Sequence, residues 1–316
     1  MQVIKLFTWL CLTTNLFVHI FILRKRLLIV CDQYGRLGNR LFLFAQMIEY
    51  SRRSGREIWM PGFHDYNHFF ANFETQKIFK YPNKRIKAFF CSARNSFAFY
   101  QKLPRIVDRL KLNKWFNLRF FFSISDGNPY ENMMDSIKPC ILFSGFIFHD
   151  FFLDIEKSRE QIINLFKPAE RFRQNIEEPI RTLKETSDAV VGVLVRQTDY
   201  REWNDGKYFF TSKQYRKILM CFKAQYSKMK LSFFIATDEE QDEELFKDMK
   251  CMIRVGYPLE NMYTLSKCDY LIGPPSSYIA WAALYGSRPL CSITSTDNIP
   301  SFAELENKSL LTEKKA

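Results

Sequence analysis

One arginine stands where an apolar run gives way to a polar loop. Ala189 to Val195 are seven small or apolar residues in succession, a pattern typical of a strand buried on both faces of a parallel sheet. Arg196 is the first cation after this run, and Asp199 follows three residues later. Ligands bind beyond the carboxyl ends of strands in open α/β sheets, and a guanidinium there can hold a phosphate or stabilise a departing diphosphate. A solvated ion pair between Arg196 and Asp199 is the alternative.

Two adjacent serines open a helix at a second expected strand end. Ser276 and Ser277 follow a Pro-bounded turn after the expected strand 269–272 and precede the expected helix 277–286. Free amides, hydroxyl groups and the positive end of the helix converge there, which predicts a phosphate site. Helix capping by Ser276 is the alternative, and the two roles can coexist.

A third expected strand, 231–236, leads to Asp238. A carboxylate at this place can accept paired hydrogen bonds from the N–H groups of a guanine edge. The alternative is that Asp238 caps a helix formed by the acidic run 239–244, which is a common use of aspartate. The residues alone do not decide between these interpretations.

Near the beginning of the chain, a strand, a glycine-containing turn and a helix follow one another. The expected strand is 27–31, and Gly35 and Gly38 precede Asn39. Such a unit presents backbone amides at a helix start, which suits an anion or a sugar. Gly38 and Asn39 are therefore candidates for ligand binding, whereas helix capping is the alternative for Asn39.

An aromatic loop follows the second expected strand, 56–60. The loop runs from Phe63 to Phe70 and contains Tyr66 and His68. Both side chains could contact a sugar, although aromatic clusters of this kind commonly serve packing.

Strands and helices alternate through the second half of the chain, which predicts βαβ units around a parallel sheet. No GxGxxG sequence follows a first strand, so NAD or FAD is not indicated. The remaining expected elements are strands 141–146, 251–255 and 289–293 and helices 154–166, 169–184, 212–226, 239–249 and 259–267.

The composition limits the classes of partner. The 316 residues exceed the usual size of a single core, and 46 Lys and Arg against 34 Asp and Glu give a net charge of +12, which suits anionic partners. The sequence has no metal-ligand spacing of His and Cys and no nucleic-acid signature. We therefore predict no metal and no nucleic acid. The eight cysteines are scattered, as buried free thiols would be.

The first 26 residues form an apolar segment with a basic end. Residues 3–23 are about the length of a membrane span, and Arg24, Lys25 and Arg26 follow. A membrane anchor would leave the rest of the chain on the cytoplasmic side. The alternative is a helix that packs on the protein body or lies in the bilayer interface.

The order of these motifs resembles the fucosyltransferase superfamily of α1,2-, α1,6- and protein O-fucosyltransferases. Val193 to Tyr200 is similar to the family's His-x-Arg-Arg-x-Asp motif, whose first arginine binds the β-phosphate of GDP-fucose and aligns with Arg196. Leu194 and Gln197 replace the motif histidine and second arginine. Gly38 with Asn39, Asp238, and Ser276 with Ser277 are similar to the family's other donor motifs, and the resemblance covers roughly residues 27–75 and 140–295.

The resemblance implies an α/β, GT-B fold with two facing Rossmann-like domains. We expect an N-terminal segment 1–26, an acceptor-side domain 27–170, a nucleotide-sugar domain 187–300 and a polar tail 301–316. The implied reaction is inverting, metal-independent transfer of fucose from GDP-fucose to a glycan hydroxyl in surface polysaccharide synthesis. GDP-fucose serves as the donor substrate, and no cofactor is expected. Alternatives are another nucleotide sugar, or an inert protein that binds glycans or membranes.

In such an enzyme, separate residues would act as the base, stabilise the leaving group and bind the two substrates. The α1,6-enzymes carry a carboxylate a few residues beyond the arginine motif, and Glu202 and Asp205 occupy that loop, so either is a candidate base, with Glu202 favoured. Arg196 would stabilise the leaving group. The donor-binding residues would be Gly38, Asn39, Arg196, Asp199, Asp238, Ser276 and Ser277, and the acceptor-binding residues Tyr66 and His68.

Overall fold

Two five-stranded sheets, one in each half of the chain, carry the architecture. A computed structural model describes residues 2–73, 79–81, 93–111, 118–122, 136–145 and 159–296. The expected polar tail 301–316 lies outside these residues. The chain divides into two compact units, an N-terminal unit Met1–Ala169 and a C-terminal unit Glu170–Ala316.

The sheet of the N-terminal unit has the order β3-β2-β1-β5-β4. All its strand pairs are parallel except β2 with β3. Its strands are β1 (Leu27–Val30), β2 (Glu57–Met60), β3 (Phe79–Tyr81), β4 (Leu118–Phe122) and β5 (Cys140–Ser144). The helices described in this unit are α1 (Gln2–Phe17), α2 (Leu37–Ser54), α3 (Ala93–Arg109) and α4 (Arg159–Leu165).

The first helix lies against the N-terminal unit. α1 continues into a π-helical turn, Val18–Ile22, and Leu12, Leu16 and Ile20 are buried in a cluster with α3 and the sheet. This segment therefore packs on the protein body, as one of the alternatives for it predicted. Among the described residues, no helix has both the length and the apolar character needed to cross a bilayer.

The C-terminal unit has a fully parallel sheet of order β10-β9-β6-β7-β8. Its strands are β6 (Ala189–Val195), β7 (Leu231–Thr237), β8 (Cys251–Val255), β9 (Tyr270–Gly273) and β10 (Leu290–Ser292). Its α-helices are α5 (Arg173–Lys184), α6 (Ser212–Gln225), α7 (Pro258–Leu265) and α8 (Ser277–Gly286). The alternation of strands and helices in the sequence therefore predicts this unit well.

One expected helix of this unit is wrong. Only a single 3₁₀ turn, Glu243–Phe246, forms within 239–249. The segment carries several adjacent carboxylates, which repel one another in a helix. The Thr237 hydroxyl also donates to the Glu239 carbonyl over 2.8 Å, and this local bond competes with helix formation.

The central strand β6 is buried along its whole length. A Cβ atom added at Gly192 would lie 2.7 Å from Leu271 and 2.8 Å from both Cys268 and Leu265. Glycine thus allows the elements beside β6 to approach its backbone closely. This close packing holds β6, and with it the start of the polar loop, in a fixed position relative to the neighbouring elements.

Candidate functional site

Three neighbouring strands of the C-terminal unit bring the predicted site residues to one edge. β6 lies between β9 and β7, with Val193 opposite Ile272 and Val195 opposite Thr237. Because the strands are parallel, the residues that follow them meet at the same carboxyl edge. Arg196, Asp238 and the turn before α8 all leave the sheet there.

Arg196 is held by two carboxylates. Its Nη2 donates to both oxygens of Asp199, over 2.5 and 2.7 Å, and its Nε lies 3.2 Å from an Asp238 oxygen. The side chain is only 13% exposed, and the guanidinium carbon lies 5.2 Å from the centre of the Tyr200 ring. The ion pair of the alternative is thus present, but it is only partly solvated, because the Arg196 side chain is 13% and the Asp199 side chain 40% exposed. The role of Arg196 toward a ligand stays a prediction. Within the described part of the chain, Nη1 has no hydrogen-bond partner and so remains able to donate to a ligand.

Asp238 organises the loop that carries the arginine. One carboxylate oxygen accepts the Gln197 backbone N–H over 2.9 Å, and the other accepts the Thr198 hydroxyl over 2.7 Å. The capping alternative for Asp238 is wrong, because the short turn that follows is capped by Asp242. Asp238 therefore connects the end of β7 to the loop after β6.

The two residues that replace family motif residues are both buried. Gln197 is 3% exposed; its amide donates to the Phe210 carbonyl over 2.9 Å and accepts from the Gln241 amide over 2.8 Å. Leu194 is also 3% exposed, and its Cβ would lie 3.0 Å from a Cβ atom added at Gly273. Because both positions are buried, a histidine at 194 or an arginine at 197 could reach a ligand only if the surrounding side chains repacked.

Tyr200 joins the arginine loop to the serine turn. Its hydroxyl donates to the Pro275 carbonyl over 2.5 Å, and burial raises the pKa of this phenol. Ser276 caps α8 by accepting the Tyr278 backbone N–H over 3.2 Å, so the expected cap is present. Ser277 is the first residue of α8. The two serines and Arg196 thus belong to one connected structure at the ends of β6 and β9.

The candidate bases lie on an exposed, tightly turned loop. Glu202 and Asp205 are both exposed, and neither side chain pairs with another residue that the structure describes. Asn204 and Asp205 have φ values of 52° and 54°, a left-handed conformation that asparagine and aspartate tolerate better than most residues. The loop is anchored by Arg201, whose guanidinium donates to both carboxylate oxygens of Glu239 over 3.0 and 2.6 Å.

An exposed tryptophan lies between the two candidate bases in sequence. Trp203 is 49% exposed, and its ring centre lies 5.0 Å from that of Tyr200 and 5.6 Å from that of Tyr208. An aromatic row therefore extends from the guanidinium of Arg196 to the surface. Trp203 and Tyr200 were not among the residues predicted to bind a ligand; their place in the loop that follows Arg196 was the signal that could have found them.

Gly38 and Asn39 belong to the N-terminal unit. α2 begins at Leu37, with Arg36 as its N-cap residue, so both lie inside the first turn. Capping by Asn39 is therefore wrong; its side chain instead lies against Gly35, where an added Cβ would meet the Asn39 amide at 2.1 Å. Gly38 is buried and Asn39 half-buried. Their expected role toward a donor stays a prediction.

Arg40 ties the start of α2 to the aromatic loop. Its guanidinium donates to the carbonyls of Gly35 and Gly62 over 3.1 and 2.9 Å and lies 4.8 Å from the centre of the Tyr66 ring. Tyr66 is half-buried, and His68 is exposed with its ring centre 4.2 Å from that of Phe69. His68 is thus the more accessible of the two candidate acceptor residues, and their acceptor role stays a prediction.

Metal ligands do not cluster in the described part of the chain. No group of three or more His, Cys, Asp or Glu side chains there could hold an ion. Seven cysteines are free thiols, and Cys91 lies outside the described residues.

Neither a protein-family model nor a curated protein sequence matches this chain. Solved structures do match it. A mutant of Arabidopsis thaliana FUT1 in complex with GDP has a TM-score of 0.54 at 10% identity, covering 85% of this chain and 70% of that one. The NodZ α-1,6-fucosyltransferase soaked with GDP-fucose has a TM-score of 0.53 at 16% identity, covering 87% of this chain and 98% of that one. Fucosyltransferase NodZ from Bradyrhizobium has a TM-score of 0.53 at 17% identity, covering 87% of this chain and 98% of that one. The likeness confirms the predicted α/β, GT-B fold class, which these fucosyltransferases share.

Proposed function

We propose that this protein is an inverting glycosyltransferase that transfers fucose from GDP-fucose to a hydroxyl group of a glycan. The observation that carries the proposal is the fixed guanidinium of Arg196 beside the serine turn of α8, both at the carboxyl edge of one parallel sheet. The fold shared with a protein solved in complex with GDP and with one soaked with GDP-fucose supports it.

The chemistry of the proposed reaction assigns Arg196 to the leaving group. An acceptor hydroxyl oxygen forms a bond to the anomeric carbon of fucose while the bond from that carbon to the β-phosphate oxygen breaks. GDP leaves with the bonding electron pair. Nη1 of Arg196, the hydroxyls of Ser276 and Ser277 and the positive end of α8 would stabilise the charge that develops on the diphosphate. Asp199 and Asp238 would keep the guanidinium in place.

The proton of the acceptor hydroxyl requires a base. Glu202 and Asp205 lie on the loop that follows Arg196, and both are open to solvent and to a substrate. We assign the proton to Glu202, with Asp205 as the alternative. The exposed face of Trp203 beside them offers an aromatic surface on which a sugar ring of the acceptor could stack.

A test of nucleotide binding separates the proposal from its two alternatives. Thermal unfolding of the full chain is followed with GDP, UDP, ADP and CMP, because a ligand that binds only the folded state stabilises it by about 2.7 kcal/mol at a hundredfold excess over its Kd. We expect stabilisation by GDP and its loss in Arg196→Ala. Stabilisation by another nucleotide would favour a different donor sugar, and stabilisation by none would favour an inert binding protein.

Arg216 offers a matched control for the arginine variant. Its guanidinium pairs with both oxygens of Asp248 over 2.5 and 2.9 Å, and the pair joins α6 to the segment before β8 rather than the loops that follow β6 and β9. Arg216→Ala removes a comparable ion pair and should leave the GDP effect intact. Equal loss of the GDP effect in both variants would contradict a specific role for Arg196.

Metal independence is part of the proposal. The fixed arginine and the helix start would supply the positive charge that a divalent ion provides in other transferases. Turnover of GDP-fucose is therefore expected to persist in EDTA. Its abolition by EDTA, with recovery on addition of Mg²⁺ or Mn²⁺, would overturn this part.

We also propose that the N-terminal segment attaches the protein to the cytoplasmic face of a membrane that carries polysaccharide synthesis. Leu10, Phe17, Phe21, Ile22 and Leu23 are exposed apolar residues, and three basic residues follow them, a combination suited to a bilayer interface. Co-sedimentation with vesicles containing anionic phospholipid tests this. Replacement of the exposed Leu10, Ile22 and Leu23 by serine leaves the buried face of the helix in place and should abolish sedimentation, and unchanged sedimentation would contradict the proposal.

A further inference from the structure

Tyr257 follows β8 in a conformation that aromatic residues rarely adopt. Its φ and ψ angles are 50° and 63°, in the left-handed region. Among the non-glycine residues that the structure describes with positive φ, it is the one aromatic residue. Bulky side chains avoid this region, and the proline that follows restricts the residue further. Strained residues of this kind concentrate at ligand sites.

The surrounding turn is built to hold this conformation. The Asn261 side-chain amide donates to the Gly256 carbonyl over 2.6 Å, and its backbone N–H donates to the Tyr257 carbonyl over 2.9 Å. The Tyr278 hydroxyl donates to the Pro258 carbonyl over 2.7 Å. Tyr278 belongs to the first turn of α8, directly after the two serines. The turn at Tyr257 is thus bonded to the element proposed to bind phosphate.

Despite this rigid backbone, the side chain of Tyr257 is left open. Tyr257 is 59% exposed, whereas Tyr278 of α8, whose hydroxyl is bonded to the same turn, is only partly exposed. A large aromatic side chain that is held in a strained conformation gains little for the fold when it is left in solvent. Its placement is better explained by a ligand.

The position of Tyr257 in the sheet indicates which part of the ligand it meets. Thr237 of β7 pairs with Val255 of β8, and the Gly256 N–H donates to the Thr237 carbonyl over 3.2 Å. Asp238 and Tyr257 therefore leave neighbouring strands at the same edge. β8 lies two strands from β6, which corresponds to about 10 Å at the usual strand spacing. A nucleoside diphosphate has this kind of layout, with phosphates at one end and a flat base at the other, separated by a ribose.

We propose that Tyr257 is the surface on which the nucleobase of the donor stacks. This inference rests on the proposed function, since it places the base of the nucleotide whose phosphates Arg196 would bind. Stacking on an aromatic ring accepts any base because every base has a π-face. Tyr257 thus contributes affinity for the nucleotide through its ring and does not itself select the base.

Two substitutions separate the ring from the backbone conformation. Asparagine tolerates the left-handed region, so Tyr257→Asn removes the ring without adding strain, and Tyr257→Phe keeps the ring without the hydroxyl. Calorimetric titration of the full chain compares GDP with inorganic pyrophosphate, which has phosphates and no base. We expect Tyr257→Asn to weaken GDP binding roughly 5- to 150-fold, the equivalent of about 1–3 kcal/mol. Tyr257→Phe should retain GDP affinity, and both variants should bind pyrophosphate as the wild type does.

The outcomes distinguish failure of this inference from failure of the proposed function. Wild-type affinity for GDP in Tyr257→Asn, with binding still dependent on Arg196, overturns the stacking role alone. Equal weakening of GDP and pyrophosphate also overturns it, because the substitution would then act on the fold of the site. If the wild type binds neither GDP nor another nucleotide, the proposed donor site fails and the stacking role fails with it. Tighter binding of another nucleotide, weakened by Tyr257→Asn, supports stacking and changes the identity of the donor.

Discussion

The Tyr200 hydroxyl donates a hydrogen bond to the Pro275 carbonyl over 2.5 Å and so joins the loop after β6 to the turn after β9. The same tyrosine ring lies 5.2 Å from the guanidinium carbon of Arg196. Tyr200 therefore contacts both the proposed phosphate-binding arginine and the turn that leads to the proposed phosphate-binding helix start. The geometry of the donor site depends on this contact as well as on the sheet.

Tyr200→Phe should weaken nucleotide binding without unfolding the protein. The substitution keeps the buried ring and removes one hydrogen bond, which costs about 1 kcal/mol of unfolding free energy. Because the arginine loop and the serine turn are then no longer joined, we expect a higher Kd for GDP. Urea unfolding and calorimetric titration measure the two effects. An unchanged Kd together with the expected loss of stability would limit Tyr200 to a structural role.

Gln197→Arg introduces the second arginine of the His-x-Arg-Arg-x-Asp motif that this stretch resembles, and it should destabilise the protein. Gln197 is 3% exposed and bonded to Phe210 and Gln241, so the larger cation would lose these bonds and its own hydration. We expect the unfolding free energy to fall by about 1–3 kcal/mol. Thermal or urea unfolding provides the measurement. Normal stability with faster turnover would instead mean that the motif arginine can act at this position.

Glu202→Gln should abolish most turnover and leave GDP affinity unchanged. A general base contributes about 10²–10⁴-fold to the rate, and an exposed carboxylate can be replaced by its amide with little effect on folding. Single-turnover kinetics with GDP-fucose and a competent acceptor measure the rate. Asp205→Asn is the matched control, because asparagine also tolerates the left-handed conformation of that residue. Near-normal rates in both variants would show that neither carboxylate is the base.

The free energy of unfolding should rise as the pH increases from about 8 to about 10, because the pKa of Lys80 is lowered in the folded protein. The residue is 6% exposed, its Nζ lies 3.7 Å from the centre of the Trp59 ring, and burial lowers its pKa to about 8. Between this value and the ordinary pKa of about 10.4, the unfolded chain binds a proton that the folded protein does not, so unfolding free energy rises with pH. The lowered pKa of Lys80 corresponds to a rise of about 3 kcal/mol in the free energy of unfolding, at 1.36 kcal/mol per pKa unit.

Lys80→Met provides the comparison for this pH dependence. The variant lacks the titrating group but keeps the long side chain over Trp59. Urea unfolding of both proteins at several pH values should give a steeper rise for the wild type. Parallel curves would contradict a depressed pKa at Lys80.

The amino-acid sequence by itself determined the strands and the chemistry at their ends. Unbroken apolar runs such as Ala189–Val195 predict buried parallel strands because both faces of such strands are covered, and parallel strands necessarily bring their carboxyl ends together. Arg196, Asp238 and Ser276 could therefore be identified as neighbours. The alternation of strands and helices likewise predicted an α/β fold with parallel sheets, and the resemblance to the fucosyltransferase superfamily implied its GT-B class.

Only the tertiary structure decided how these residues are used. The burial of Gln197 and the bonds from Asp238 to the arginine loop depend on partners distant in the sequence. The turn of the exposed, left-handed Tyr257 is bonded both locally, to Asn261, and to the distant Thr237 and Tyr278. The acidic segment 239–249 differs from the expected helix for a local reason, since hydrogen bonds within the segment and carboxylate repulsion override its helical pattern. Periodicity reports which face of an element is buried, whereas the conformation of a strand-end loop is set by contacts between elements, which no local pattern encodes.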